Sequence, residues 1–164
     1  MRYVMRQKFF TLADDYNITD ENGKDVFFVD GKLISIGHQL SFQDMAQNEL
    51  AFIKQKIFNW GPTYEIWHQG ELEAVVKKEL FTFFHCVFHV DEPGHDSLTA
   101  EGSFTDHEYV FTRGGRQVAA VSKQWFTFVD TYGVDIADDE DAILILACAV
   151  VIDEACHGDQ QRQG

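Results

Sequence analysis

A run of eleven residues, Ala142 to Ile152, carries no polar side chain apart from the weakly polar thiol of Cys148. In a helix such a run is apolar on every face, so the helix must be buried on all sides or lie in a membrane. Eleven helical residues extend about 16 Å, roughly half of the ~30 Å hydrocarbon core of a bilayer. The run therefore predicts a helix buried inside a folded protein.

The residues around this run set the expected ends of the helix, at 138–156. Four consecutive acids, Asp138 to Asp141, are predicted to occupy its first turn, where carboxylates complement the positive end of the helix dipole. Gly158 is predicted to stop the helix, since glycine commonly follows the last helical turn. Residues 158–164 are polar and are expected to form a frayed tail.

Most of the remaining chain predicts short β-strands separated by turn residues, among them Asp30-Gly31, Glu101-Gly102 and Gly114-Gly115. The expected strands are 7–12, 16–20, 25–29, 32–36, 39–43, 49–57, 62–68, 71–80, 84–91, 97–101, 104–112, 116–123 and 125–132. Regular short strands of this kind are typical of a β-sandwich or a β-barrel.

The helix and the strands together favour one fold class. An eight-stranded barrel is filled by its own side chains, whereas a can of about eleven strands encloses a central helix of about 10–12 Å diameter. The sequence therefore predicts a mainly β protein, a closed antiparallel barrel of about 12 strands around a buried hydrophobic C-terminal helix. We expect a single domain over residues 1–157, because no linker or change of composition divides the chain.

Charge and cysteine content narrow the possible partners and compartment. The chain has 164 residues and a formal net charge of -14, which argues against a nucleic-acid binder because phosphate backbones require a basic surface. Three cysteines, Cys86, Cys148 and Cys156, are an odd number and do not indicate a disulfide framework. The first ten residues do not have the form of a signal peptide. We therefore expect a cytoplasmic protein with no transmembrane segment.

Segments in three parts of the chain resemble the LOR family: Asp25–Lys32, Lys78–Phe83, and Tyr132–Ile136 followed by Ile143–Ala147. The resemblance covers roughly residues 1–157. The family is similar to tubby C-terminal domains and phospholipid scramblases, and it implies a twelve-stranded β-barrel around a hydrophobic C-terminal helix. Tubby domains bind phosphoinositides through a basic surface pocket, and scramblases act at membranes. The resemblance thus also implies a lipid-headgroup or scramblase-related role, although the chain shows neither the proline-rich region nor the cysteine cluster typical of scramblases.

Lys54, Lys56, Lys77 and Lys78 are the densest group of basic residues. If the strands that carry them are near one another in the barrel, they form a local cationic patch suited to a lipid headgroup. The alternative is a solvated outer face, on which lysines also discourage pairing between sheet edges.

A second candidate anion site is Arg113-Gly114-Gly115-Arg116, where two arginines flank glycines whose N–H groups can point the same way. The alternative is a plain hairpin turn, since two glycines suit two positive φ angles.

Metal binding and catalysis have little support in the sequence. His85 and His89 would be about 13 Å apart on a strand, with Cys86 on the opposite face, so no metal site is expected. The acids of 130–141 lack the spacing of a calcium-binding EF-hand loop. The chain has no nucleophile elbow, P-loop or dinucleotide fingerprint, and we predict no catalytic residue and no cofactor.

The leading functional hypothesis is therefore a non-enzymatic binding or scaffold module, free in the cytoplasm or peripheral at a membrane. One alternative is binding of a phosphoinositide-like headgroup, which a shallow basic groove would favour. Another is an enzyme with a site at the barrel mouth, which a pocket of convergent polar groups with shifted pKa values would favour. An exposed aromatic patch would instead favour a protein-interaction barrel.

Overall fold

The computed structural model describes residues 1–8, 15–32, 37–57, 61–80, 86–124 and 131–161. The elements in chain order are β1 (Arg2–Lys8), β2 (Asp15–Asp20), β3 (Asp25–Lys32), β4 (Gln39–Asp44), β5 (Glu49–Gln55), β6 (Thr63–His68), β7 (Glu71–Leu80), β8 (Cys86–Asp91), β9 (Leu98–Ser103), β10 (Glu108–Arg113), β11 (Arg116–Ser122), β12 (Thr131–Ile136) and α1 (Ala142–Gln161).

The twelve strands form one closed antiparallel barrel in which each strand pairs with its neighbours in the chain. β1 closes the ring by pairing with β12, where Arg2 lies opposite Asp135 and Arg6 opposite Thr131. The predicted closed barrel of about twelve strands with a C-terminal helix is confirmed.

α1 contacts the strands from within the barrel. Its residues from Leu144 to Ile152 are at most 2% exposed, as the apolar run predicts. The inner face of the barrel supplies the rest of the core through alternating positions such as Ile18, Ile53 and Phe111. The helix and the inner wall thus share one hydrophobic core.

Because β12 leads directly towards α1, the chain enters the barrel at the end where β12 finishes, at Ile136. We call this the entry end. Asp153 and Glu154, in the second half of α1, lie towards the opposite end, which we call the far end, beside the start of β2.

The helix boundaries differ from the prediction. α1 begins at Ala142 rather than at 138, and the acids Asp138 to Asp141 precede it. Asp141 caps the helix, because its Oδ1 accepts hydrogen bonds from the N–H groups of Ile143 and Leu144 at 2.9 and 3.2 Å. The helix also continues through Gly158 to Gln161, since glycine ends a helix only where its backbone turns left-handed.

Several strand boundaries were also wrong. Asp30-Gly31 is not a turn but part of β3, and Gly31 lies opposite Leu40 with its N–H donating to Asp15. Glu101-Gly102 belongs to β9, and the turn lies instead at 104–107, so β10 begins at Glu108 and not at 104. β1 already begins at Arg2, in a segment that was predicted to pair only from residue 7.

β12 extends to Ile136, beyond the predicted limit of 132. The predicted strand residues 9–12, 33–36, 84–85 and 125–130 lie outside the described residues.

Candidate functional site

The four predicted lysines lie on β5 and β7 and just after β5, and both strands flank β6. β5 and β7 are two strand spacings apart, a distance of about 10 Å between the strand axes. Glu65 of β6 lies opposite Lys54 and forms an ion pair with Lys56 at 3.2 Å. The structure thus brings the lysine-bearing strands close together, but it places a carboxylate among the basic groups.

Lys77 and Lys78 do not share a face of the barrel. Lys77 is exposed. Lys78 is half-buried, and it falls at every second position along β7 together with the buried Ala74 and Val76. Its ammonium group lies 6.0 Å from the centre of the Phe88 ring. Side chains of successive strand residues point to opposite faces, so the four lysines do not form a single surface patch.

Arg113 and Arg116 flank the β10–β11 turn at the entry end, and Gly114 and Gly115 have positive φ angles of 57° and 79°. The plain hairpin interpretation of this segment is therefore supported by its backbone.

Arg113 is already engaged by protein groups: its guanidinium donates to Glu92 at 2.7 Å, to Glu140 and to the carbonyl of Asp96. Although burial lowers the pKa of Arg113, the hydrogen bonds to Glu140 and Glu92 raise it overall, so the side chain stays charged. An external anion would have to displace these carboxylates.

These arginines lie in the wall of a cleft of about 800 Å³ at the entry end. The carboxylates that line the cleft outnumber the two arginines: Glu73, Glu92, Asp96, Asp139, Glu140 and Asp141. Arg116 binds Asp139 at 2.7 Å. Burial, followed by the negative charge of Asp141, raises the pKa of Glu73. The cleft therefore has a negative potential, unlike the basic groove expected for a headgroup.

Large apolar residues lie in register across β5, β6 and β7. Phe52 lies opposite Trp67, and Trp67 lies opposite Leu72 on the next strand. Phe52 and Trp67 are half-buried, and Leu72 is 37% exposed. A shallow groove at the patch is also lined by Glu49, Lys54, Gln69 and Gly70. We call Phe52, Trp67 and Leu72 the outer patch.

The far end holds a buried polar cluster that was not predicted from the sequence. Asp153 and Glu154 of α1 are 4% and 5% exposed. The hydroxyl of Tyr16 lies 2.8 Å from Asp153 Oδ2 and 2.9 Å from Glu154 Oε1. Burial, then the charges of Asp153 and Glu154, raise the pKa of Tyr16 well above its usual value, so the phenol remains protonated.

Two histidines complete this cluster. His107 Nε2 lies 2.7 Å from Asp153 Oδ1, and His38 Nδ1 lies 3.5 Å from Glu154 Oε2. His107 has a φ of 53°, in the left-handed region that residues with a side chain rarely adopt. Its ring stacks on Tyr132 with 4.4 Å between ring centres. The contacts to Asp153 and Tyr132 hold this uncommon backbone in place.

The sequence does contain a signal for this cluster. Asp153 and Glu154 follow the apolar run directly and fall within the predicted helix, so a helix buried on all sides takes both acids into the barrel. Buried carboxylates require hydrogen-bonding partners, which the apolar run alone does not identify. Their tyrosine and histidine partners come from β2, the β9–β10 turn and the residue before β4, and only the closed barrel brings them together.

Among the described residues, no group of three or more His, Cys, Asp or Glu side chains is arranged to hold a metal ion. His85 lies outside them, so the predicted separation of His85 and His89 is not described. Cys86, Cys148 and Cys156 form no disulfide bond. No helix among the described residues is long and apolar enough to cross a bilayer.

Comparison with known proteins identifies the family. The model of the LOR (LURP-one-related) family matches residues 1–153. The uncharacterised protein YxjI of Bacillus subtilis (strain 168) is 30% identical over 156 residues, which cover 95% of this chain and 94% of YxjI.

A solved structure of the Arabidopsis thaliana protein AT5G01750 superposes with a TM-score of 0.68 at 14% identity, covering 93% of this chain and 90% of that one. At this identity the likeness concerns the fold alone. The family match spans nearly the whole barrel and most of α1, and the protein belongs to the LOR family.

Proposed function

We propose that this protein is a non-enzymatic cytoplasmic binding module that uses the outer patch to bind a protein with a basic surface. The observation that carries the proposal is the register of Phe52, Trp67 and Leu72 across three strands, in which Phe52 and Trp67 line one groove and Leu72 pairs with Trp67 across a β-bulge. Outward positions of an antiparallel sheet that faces water are normally polar, and a contiguous group of large apolar side chains there marks an interaction surface.

The chemistry of the patch fits the centre of a protein interface. Aromatic residues are enriched in interface cores, where they contribute large apolar contact areas, and a polar rim surrounds them. The rim here includes Glu49 and Lys54. Trp67 Nε1 donates to Glu65 Oε2 at 3.0 Å, which fixes the orientation of the indole ring. A fixed aromatic anchor loses little conformational entropy on binding.

Charge favours a basic protein partner over an anionic membrane. The chain has a net charge of -14, and Leu72 belongs both to the outer patch and to the lining of the acidic cleft. The anionic lipids of a membrane's cytoplasmic leaflet would repel this acidic surface. A partner with an apolar anchor and neighbouring Lys or Arg side chains would instead complement both the outer patch and the acidic cleft.

The test is selection of peptides from a phage-displayed random library on the immobilised full-length protein. We expect the enriched peptides to combine an aromatic or leucine side chain with several Lys or Arg residues. Trp67→Ser is expected to weaken their binding about 30-fold, the loss typical of truncating a tryptophan at the centre of an interface. Val110→Ser is the matched control, because Val110 is a half-buried residue on β10, away from the patch.

Leu72→Ser serves as a second patch variant if Trp67→Ser lowers the melting temperature. Failure to enrich any peptide, or equal binding by the Trp67 and Val110 variants, would overturn the proposal. If instead the protein binds vesicles of phosphatidylserine and phosphatidylcholine, and neither patch variant weakens that binding, the lipid-headgroup alternative replaces the proposal.

A further inference from the structure

The cleft at the entry end has the size of a small-molecule site. Its volume of about 800 Å³ lies within the range of roughly 300–1,000 Å³ that is usual for ligand pockets. Its walls come from the start of β7, the β8–β9 turn, the β10–β11 turn and the residues that lead into α1. Because four separate segments build it, the cleft is a concave feature of the fold and not a group of acids on one loop.

Two carboxylates in the wall of the cleft are buried and share one arginine. The side chains of Glu92 and Glu140 are 10% and 7% exposed, and both bind Arg113, at 2.7 and 3.1 Å. Arg116 lies closer to Asp139, at 2.7 Å, than to Glu140, at 3.5 Å. Three carboxylates thus share two guanidinium groups, which leaves an excess of one negative charge at largely buried groups. Such an excess is costly unless a further cation compensates it.

Three more carboxylates line the same cleft, those of Glu73, Asp96 and Asp141. None of the three forms an ion pair with a residue that the structure describes. Burial first, and then the charge of Asp141, raises the pKa of Glu73, as expected where negative charge accumulates. The charge of the cleft therefore favours a ligand that carries more than one positive charge.

The apolar part of the lining indicates what kind of cation fits. Leu72, Pro93 and Leu144 line the cleft together with the carboxylates. A metal ion makes no use of apolar surface, and the described residues contain no group of three or more side chains arranged to hold one. Methylene groups, in contrast, are stabilised by contact with leucine and proline side chains. The ligand should therefore combine positive charges with an aliphatic chain.

We propose that the cleft binds a linear aliphatic oligoamine, a molecule in which methylene segments separate two or three ammonium groups. The ammonium groups bind Glu73, Asp96 and Asp141, and the methylene segments pack on Leu72 and Leu144. The proposal goes beyond the protein-binding role of the outer patch and does not depend on it, because a free amine needs no apolar anchor on β5 and β6.

The test is isothermal titration calorimetry of the full-length protein with spermidine. We expect one bound spermidine per chain, and weaker binding by putrescine, which has one ammonium group fewer. Glu73→Gln is expected to weaken spermidine binding about 10-fold, the loss typical of removing one charge-assisted hydrogen bond. Glu101→Gln is the matched control, because it removes the same charge from an exposed position on β9 that does not line the cleft.

Two further variants keep the test independent of folding and of the outer patch. Asp96→Asn, at an exposed position of the β8–β9 turn, replaces Glu73→Gln if that variant lowers the melting temperature. Trp67→Ser should leave spermidine binding unchanged, because Trp67 does not line the cleft.

A titration in MgCl₂ of equal ionic strength separates a site from general attraction to an acidic protein. Specific binding persists there, because Mg²⁺ cannot replace the contacts of the methylene segments. The proposal is overturned if spermidine does not bind at about 1 mM, if Mg²⁺ abolishes its binding, or if Glu101→Gln weakens it as much as Glu73→Gln.

Discussion

At the scale of single residues, the far-end cluster shows how buried polar groups depend on one another. An unpartnered buried hydroxyl costs about 1–3 kcal/mol, a large fraction of the stability of a domain that is held by only about 5–15 kcal/mol. Tyr16 avoids this cost by binding Asp153 and Glu154 directly. The cluster therefore contributes to stability only while its members remain correctly placed.

Gly102 offers a separate test of close packing at one residue. It has a φ of 144°, and a Cβ atom there would lie 2.5 Å from the carbonyl oxygen of Glu108 and 2.6 Å from Cα of Tyr109. We expect Gly102→Ala to lower the free energy of unfolding by about 2–5 kcal/mol, because backbone strain and a steric clash add. Urea denaturation measures the change.

Gly94→Ala is the control for that experiment. Gly94 also has a positive φ, of 83°, but a Cβ atom would meet nothing within 4 Å. Its substitution should cost only about 1 kcal/mol, the backbone strain alone. If Gly102→Ala and Gly94→Ala lower the free energy of unfolding by the same amount, strands β9 and β10 are not in close contact at Gly102.

At the scale of elements, α1 connects the sequence to the fold most directly. Leu146 lies in the second turn of the helix and is completely buried. We predict that Leu146→Asp prevents folding, because an unpaired buried charge costs several kcal/mol. Circular dichroism and thermal melting of the purified variant measure the effect.

Leu146→Met retains the volume and the apolar character of the side chain and should cost less than about 1.5 kcal/mol. An Asp variant that melts like the parent protein would contradict the central position of α1.

The apolar run made the barrel predictable because a helix with no polar face leaves few arrangements other than burial on all sides. Strand ends were less predictable, since they depend on pairing: Asp30-Gly31 resembles a turn, but its pairing with β4 extends β3 through it. The far-end cluster was not predicted because Tyr16 and His107 are 91 residues apart in the chain (positions 16 and 107) and meet only through α1. The outer patch likewise requires the register that places Phe52 opposite Trp67.

At the scale of the whole molecule, the barrel isolates its interior from solvent, and Cys148 provides a probe of that isolation. The thiol is fully buried on α1, and burial, followed by the charge of Glu92, raises its pKa well above the usual value. A raised pKa disfavours the thiolate, which is the reactive form. Both its burial and its protonation therefore protect Cys148 from thiol reagents.

We expect Cys148 in a Cys86→Ser/Cys156→Ser background to react with a thiol reagent at least about 1000-fold more slowly than the same chain in urea. The remaining rate should track the global free energy of unfolding across a urea series, because the thiol is exposed only when the barrel opens. Fast labelling of the native protein would indicate that α1 leaves the barrel without global unfolding.

The seam between β1 and β12 has a consequence for biosynthesis. Arg2 and Asp135 are 133 positions apart, and ribosomes add about 5–20 residues per second, so β1 waits roughly ten seconds for its last partner. α1 emerges later still, and until then the nascent sheet has no helix to cover its inner apolar face. The barrel therefore cannot complete its fold until α1 has been synthesised, and the period before closure is when the newly made protein is most exposed to aggregation and to capture by chaperones.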